Sequence, residues 1–433
     1  MGGEHDGGSP VPTPPLSALV SFAFCIFCVF FCFIPTQTFA ALVFPDIGAL
    51  MVALVYTLFG FGVVVSPTLM KRYDPGNLVF IGSALYIPLA ISVCIESKAM
   101  LVIGACCCGA GASILWNGVG VVLTNLSDQE TRGRRAGIFS ILNRLNFTAN
   151  FILGACLSAG YDRSFLFIFI ITFGVVGTLG LGLHAKFVSQ PIACAKATAL
   201  AEKHTGADQT TIFANARTAL RKFRHSRFRP YLFTNYTVYG LAKGFVYSTV
   251  GVWGAEAGGT GSLGYIVGLY GLLLVVSAAI NGALFDACCK QRAKSKIFLF
   301  LIPVTMAWAG MYLSFYARTC PRDISSLWMF YLSSALIGAG NGGVEAMGYA
   351  YTSYVFPNDS ATAFAAKLYA EVFGQIIGFL LPALFRNHLT TYVVFFSIHF
   401  VVDLLNYADT LRRHCQRNGT PAVELPAAVV VQI

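Results

Sequence analysis

The chain has 433 residues, of which 56% are hydrophobic and only 11% charged, with a formal net charge of +10. Soluble domains carry about a quarter of their residues as charges, so this composition excludes a water-soluble globule and makes the bilayer the solvent. Continuous apolar runs of about twenty residues, rather than ten-residue alternation, exclude a β-barrel, and helices then satisfy their own backbone hydrogen bonds in hydrocarbon.

Twelve such runs are predicted as membrane-spanning helices. The first six cover Ser17 to Phe44, Ile47 to Leu69, Leu78 to Cys94, Leu101 to Leu123, Ala136 to Leu157 and Phe165 to Leu183. The second six cover Leu232 to Val252, Ile266 to Leu284, Ile297 to Leu313, Leu327 to Ala350, Ala363 to Leu384 and Thr391 to Leu405. This divides the chain into a polar tail (1–16), a first six-helix half (17–187), a linker (188–229), a second six-helix half (230–410) and a second tail (411–433). The first run follows a Pro- and Gly-rich tail without Lys or Arg and has no clear small-residue cleavage site, so it reads as a retained helix and not a signal peptide.

A basic chain can be a nucleic-acid binder, but the placement of its charges argues against that. Of 29 Lys and Arg, 21 fall on one side of the predicted topology, among them Lys71, Arg72, Arg132, Arg134, Arg135 and the linker cluster Arg221, Lys222, Arg224, Arg227 and Arg229. Five lie opposite, at Lys98, Arg163, Arg318, Arg322 and Arg386, and Arg144, Lys243 and Lys367 fall within spans. This is the positive-inside asymmetry, and it predicts that both termini are cytoplasmic. The linker itself reads as a solvated tether or as a docking segment. The five Asn-x-Ser/Thr sequons, at Asn125, Asn146, Asn235, Asn358 and Asn418, fall in cytoplasmic or buried positions in this topology and are expected to be unglycosylated.

The two halves echo one another. Gly109-Ala110-Gly111 in the fourth span recurs as Gly338-Ala339-Gly340 in the tenth, and each is followed by a small-residue-rich stretch ending near Thr124 or Thr352. Repeated halves are the architecture of many transporters, with the solute site between them, although glycines that permit close helix packing explain the same tripeptide.

The run from Gly109 through Trp116 and Asn117 to Thr124, the pair Thr36-Gln37, and Phe356-Pro-Asn-Asp-Ser360 followed by Ala363-Phe364-Ala365 and Lys367 resemble the uncoordinated-ninety-three-like family, a branch of the major facilitator superfamily named for an ion-channel regulator. Gly137, Phe139 and Asn150 fit the family's fifth helix more loosely. The chain departs from its usual pattern at Val119, Val122 and Asn341, where the family carries Gln, Tyr and Asp. The resemblance covers residues 17 to 410 and implies an all-α integral membrane protein with twelve transmembrane helices in two six-helix halves. The function it implies is either transport of a small solute or ion, or regulation of a channel or receptor in the same bilayer.

Ionisable groups inside a membrane are costly, and each is a candidate functional residue. Tyr236, Tyr239, Lys243 and Tyr247 share one face of the seventh span, and Asn341, Glu345 and Tyr349 follow at four-residue steps in the tenth. Gln37, Trp116 and Asn117 extend this candidate solute site onto the first and fourth spans. Lys243 is expected to pair with Glu345 across the centre. Lys367 and Glu371 are spaced to pair within the eleventh span. In the fifth span Asn143, Asn146 and Asn150 share a face beside Arg144, and they either line a polar path or bond neighbouring helices. His399 and Asp403 have the spacing of a proton relay but are expected to be structural.

Several signals point nowhere. The 13 cysteines include Cys25, Cys28, Cys32 and Cys106 to Cys108 inside apolar spans, where cysteine acts as a small hydrophobe, and no zinc pattern is present. Cys288 and Cys289 sit at a basic membrane boundary that would suit acylation. Gly338 to Gly343 matches a dinucleotide fingerprint by letter but lacks the strand before it. No catalytic constellation is found, so no enzyme activity, cofactor or metal is expected.

Overall fold

The computed structural model describes residues 14–127, 132–192, 194, 229–289, 293–321, 324–355, 360–385 and 388–417. Every regular element among them is helical. The first half comprises α1 (Leu16–Val43), α2 (Gly48–Arg72), α3 (Pro75–Ala84, resuming as Ile87–Cys94), α4 (Lys98–Asn125), α5 (Arg132–Arg144, then Thr148–Ser158) and α6 (Arg163–His184). The second comprises α7 (Arg229–Phe245, resuming as Gly251–Gly258), α8 (Thr260–Cys289), α9 (Ala293–Thr319), α10 (Ile324–Val355), α11 (Ser360–Phe385) and α12 (Leu389–Arg417). All twelve predicted spans are present. The linker cluster at Arg221 to Arg227, Asn358, Asn418 and the side chains of Tyr349, Thr352, Cys288 and Cys289 lie outside the described residues.

Among the described residues, seven helices are long and apolar enough by length and composition alone to cross a membrane. Two of the others, α5 and α7, carry the polar groups that turn inward, which lowers their hydropathy without altering their path. Burial separates central from peripheral helices: 67% of the apolar window of α1 is buried, against 39% in α6 and 17% in α12. The outward faces are apolar, with Phe24, Ile168, Leu179, Ile302 and Leu405 all more than half exposed, as lipid contact requires.

Local breaks have local causes. Helix α3 stops at Ala84 and restarts at Ile87 because Pro88 cannot donate to the carbonyl four residues earlier. Helix α5 tightens into a single 3-10 turn at Leu145–Phe147, and α7 widens into a π turn at Val246–Val250. Such irregular turns recur at functional positions. Both lie next to the charged groups described below.

The repeated Gly-Ala-Gly sequence has a structural meaning. A side chain on Gly109 would strike Val55 and Leu58 of α2, and one on Gly111 would strike Gly82 and Leu85 of α3. A side chain on Gly338 would strike the backbone of Tyr270 in α8, and one on Gly340 would strike Pro303 and Ala307 of α9. In each half the fourth helix therefore uses its first glycine to dock on the second helix and its second glycine to dock on the third. The packing reading of the motif and the internal repeat are the same fact.

The halves meet along two seams. In one, Gly261, Gly264, Gly268 and Gly271 of α8 receive Ser158, Gly154, Phe151 and Phe147 of α5. In the other, Gly60 and Tyr56 of α2 face Val372 and Phe379 of α11. Both seams lie between the end opposite the termini and about the middle of the bundle, so the halves are in contact on that far side.

Candidate functional site

Arg144 ends the first segment of α5, roughly 18 Å from Arg132 at a rise of about 1.5 Å per residue. By the same measure Lys243, Glu345 and Glu371 lie roughly 15–21 Å in from the terminus-bearing ends of α7, α10 and α11, near the middle of a hydrocarbon layer about 30 Å thick. Five ion pairs join described residues, and four of them stay within one half. Lys98–Asp46 at 3.1 Å, Arg163–Glu96 and Arg318–Glu256 at 2.6 Å tie helix ends to loops and to one another at the far end, and Lys243–Glu371 at 3.6 Å joins α7 to α11. The fifth, Arg144–Glu345, crosses from the first half to the second.

Around this pair the side chains interlock. The hydroxyl of Tyr239 donates to the other oxygen of Glu345 at 3.2 Å. Asn341, one turn away, donates its amide to the hydroxyl of Tyr270 at 2.9 Å and to the carbonyl of Tyr239 at 3.3 Å. Gln375 donates to Glu371 at 3.2 Å. The ammonium of Lys243 lies 6.0 Å from the ring centre of Tyr239, and that of Lys367 lies 5.0 Å from the ring centre of Tyr236, so each cation rests on an aromatic face. The pairs are not sealed: side-chain exposure is 18% for Arg144, 8% for Glu345 and 12% for both Lys243 and Glu371.

Above the cluster, towards the far end, four rings stack nearly parallel. Tyr56 lies on Phe379 at 5.5 Å and 14°, Phe379 on Tyr247 at 6.2 Å and 11°, and Tyr247 on Phe147 at 6.4 Å and 8°. The column runs through α2, α11, α7 and α5, so it crosses between the halves twice. Tyr56 also donates to Gln37 of α1 at 2.8 Å.

The expected pairing of Lys243 with Glu345 is corrected by this geometry. Tyr239, one turn before Lys243, takes the position facing Glu345, and Lys243 is turned towards α11, where it meets Glu371. The ion pair shown for Glu371 is accordingly with Lys243 of another helix and not with Lys367 on its own. Of the other predicted residues, Tyr236, Tyr239, Lys243, Tyr247, Asn341, Glu345, Lys367 and Glu371 are brought together with Arg144. Gln37 joins them through Tyr56. Trp116 and Asn117 do not join. Trp116 packs on Phe30 at 5.1 Å, and Asn117 donates to Ser66 and to the carbonyl of Ser113, inside the first half.

The asparagines of α5 are buried, with Asn146 donating to Asn143 at 3.4 Å and Asn150 fully enclosed against α8. Asp403 is 2% exposed and accepts from the indole of Trp308 at 3.3 Å, which places it between α9 and α12, away from the cluster. Sequence reasoning missed Tyr56, Phe147, Tyr270 and Phe379. They are aromatic residues among 37 Phe and 19 Tyr, and nothing but three-dimensional placement separates them from lipid-facing rings.

A polytopic helical bundle of two repeated halves with its charges concentrated where the halves meet is the plan of a carrier. The chain belongs to the major facilitator superfamily, whose family model matches residues 19–382. Among solved structures it is similar to a POT family transporter in complex with 5-aminolevulinic acid, with a TM-score of 0.68 at 14% identity, covering 90% of this chain and 95% of that one. It is likewise similar to the peptide transporter POT in complex with sulfate, with a TM-score of 0.68 at 15% identity, covering 94% and 98%. At these identities the likeness shows the fold.

Proposed function

We propose that the protein is a secondary transporter of a small solute, in which the two halves rock about the central cluster and expose it to each side of the membrane in turn. The observation that carries this reading is the Arg144–Glu345 pair: among the described residues it is the ion pair that crosses between the halves, at mid-depth and still partly exposed. A structural staple between fixed halves would favour full burial in an apolar contact, whereas a contact that must form and break is served by charged groups that water can reach. From the similar transporters captured with 5-aminolevulinic acid and with sulfate, only the small size of the solute is carried over.

Within the superfamily we place the chain beside the uncoordinated-ninety-three-like branch, on the Gly109 to Thr124 run and the Phe356 to Ser360 loop. We also read both termini as cytoplasmic, from the distribution of Lys and Arg. An accessory role in gating a channel or receptor remains the competing reading, and no contact described above favours it.

The test uses a reversible lock. A Cβ on Gly261 would lie 3.2 Å from that of Ser158, close to the separation a disulfide needs. In a background without the 13 native cysteines, Ser158→Cys/Gly261→Cys is reconstituted in liposomes and assayed for uptake across a panel of labelled ions, sugars, amino acids and organic acids. Uptake should stop on oxidation and return on reduction. Uptake that ignores the cross-link, or none above empty liposomes for any solute class, contradicts the reading.

A further inference from the structure

The charged side chains of the central cluster are engaged with their neighbours. Arg144 is paired with Glu345 and Lys243 with Glu371, while Tyr239 donates to Glu345 and Gln375 to Glu371. Lys367 lies over the ring of Tyr236. A charged solute would have to break one of these pairs or bring its own charge into a poorly solvated place, and either is costly at mid-depth. What the site leaves over for a solute is uncharged.

Four buried polar atoms beside the cluster find no hydrogen-bond partner among the described residues: Nε2 of Gln37, the hydroxyl of Tyr247, Oδ1 of Asn341 and Oε1 of Gln375. Each of these residues is 2% exposed or less. One circuit of contacts joins them. Gln37 accepts from Tyr56, Tyr56 stacks on Phe379, Phe379 stacks on Tyr247, and Tyr247 meets the ring of Tyr270 at 5.9 Å. The hydroxyl of Tyr270 accepts from Asn341, whose amide also reaches the carbonyl of Tyr239. Lys243 lies over the Tyr239 ring and pairs with Glu371, which accepts from Gln375, and the circuit closes on α11 because Gln375 stands one turn before Phe379. Buried polar atoms are rarely left unsatisfied, and four on one circuit between two halves mark the place of a polar occupant.

Resting on the carrier reading above, we infer that the transported solute is an uncharged molecule carrying several hydroxyl or amide groups, held between Gln37 of the first half and Tyr247, Asn341 and Gln375 of the second. Gln37 donates to it, Asn341 and Gln375 accept from it, and Tyr247 does either. A hydroxyl group both donates and accepts, so a polyol meets this mixed set with one kind of group, and an amide meets it with two atoms. As the halves rock, Gln37 parts from the other three. The solute is then gripped from both halves in one arrangement and released by one of them in the next.

The experiment titrates thermal stabilisation of the purified full-length protein with ligands matched in size but different in charge: myo-inositol and sorbitol against gluconate and glucamine, and lactamide against lactate. Saturable stabilisation at millimolar concentration is the readout, because polyols at molar concentration stabilise folded proteins in general. At least one of the three uncharged ligands should stabilise where the three charged ones do not, and Tyr247→Phe should weaken that effect about three- to tenfold. Tyr392→Phe removes a buried phenol packed against Phe245 and Trp253, outside the circuit, and should leave it unchanged. Without ligand, Tyr247→Phe should not lower the melting temperature, because no protein group loses a partner. A fall there shows the hydroxyl to be satisfied already and overturns the assignment. So does stabilisation by gluconate, glucamine or lactate equal to that by their uncharged counterparts, its absence with all three uncharged ligands, or its insensitivity to Tyr247→Phe. Because the cross-link assay scores uptake of any solute class, uptake gated by the lock together with one of those outcomes removes the uncharged-solute assignment alone and leaves the carrier reading standing.

Discussion

Arg144 and Glu345 sit 201 positions apart in the chain and meet at the centre of the bundle, one from each half. Every other ion pair among the described residues closes within its own half, so each half is stapled to itself, and the two halves, packed along their glycine and aromatic seams, share this one ion pair among the described residues. That arrangement gives two stiff bodies and a breakable joint.

Removing one member of such a pair leaves a charge in a poorly solvated place. Arg144→Ala or Glu345→Ala alone is expected to lower stability by about 3–5 kcal/mol, and the double substitution by clearly less than the sum. Denaturant or thermal unfolding of the four proteins in the cycle measures the coupling. Additive effects, agreeing to within about 0.5 kcal/mol, would show that the two groups do not act as a pair.

The glycine seam makes a steric prediction. Gly264→Val would drive a side chain into the backbone of α5 at Asn150 and Gly154, so the far-side contact should weaken, with a cost of about 1–3 kcal/mol. Gly137→Ala is the control, because a Cβ there meets nothing within 4 Å and, inside a helix, should leave stability unchanged or raise it by up to about 1 kcal/mol. Equal effects of the two substitutions would argue against a close-packed seam.

Phe379 is the ring shared by both sides of the aromatic column, stacked on Tyr56 of one half and on Tyr247 of its own. Phe379→Ala should cost about 3 kcal/mol or more, whereas Tyr56→Phe removes the hydrogen bond to Gln37 and should cost about 1 kcal/mol. The ranking is read directly from melting temperatures. A larger loss for Tyr56→Phe would move the weight of this contact from stacking to hydrogen bonding.

The sequence showed the span count, the two halves and most of the central residues, because hydropathy and rare intramembrane charges are one-dimensional signals. Lys243, Glu345, Lys367 and Glu371 stand out in apolar runs wherever those runs pack. Who pairs with whom is not one-dimensional. Tyr239 and Lys243 share a face by spacing, yet α10 approaches the first and α11 the second, so the expected Lys243–Glu345 pair gives way to Arg144–Glu345 and Lys243–Glu371. An arginine with no acid on its own helix was the available clue. Trp116 and Asn117 lie in the run that carries the family resemblance, but they are occupied by Phe30 and Ser66 within the first half.

Asp403 provides a negative prediction. Held by Trp308 between α9 and α12, it lies outside the central cluster, so Asp403→Asn should leave solute binding and the pH profile of uptake unchanged while lowering stability through the altered contact with the indole. A shifted pH profile would place a proton path through α12.

The central claim is that the halves move as two bodies, and distances between spin labels on opposite halves test it most directly. In lipid nanodiscs and a cysteine-free background, one pair is placed at the far end, Ala99→Cys with Thr260→Cys, and another at the terminus-bearing end, Tyr73→Cys with Arg412→Cys; all four positions are exposed. The account predicts two distance populations for each pair, with the far-end pair lengthening as the other shortens, and a shift in their balance on Glu345→Gln. A single unchanging distance at both ends, in the native sequence and in Glu345→Gln alike, would contradict it.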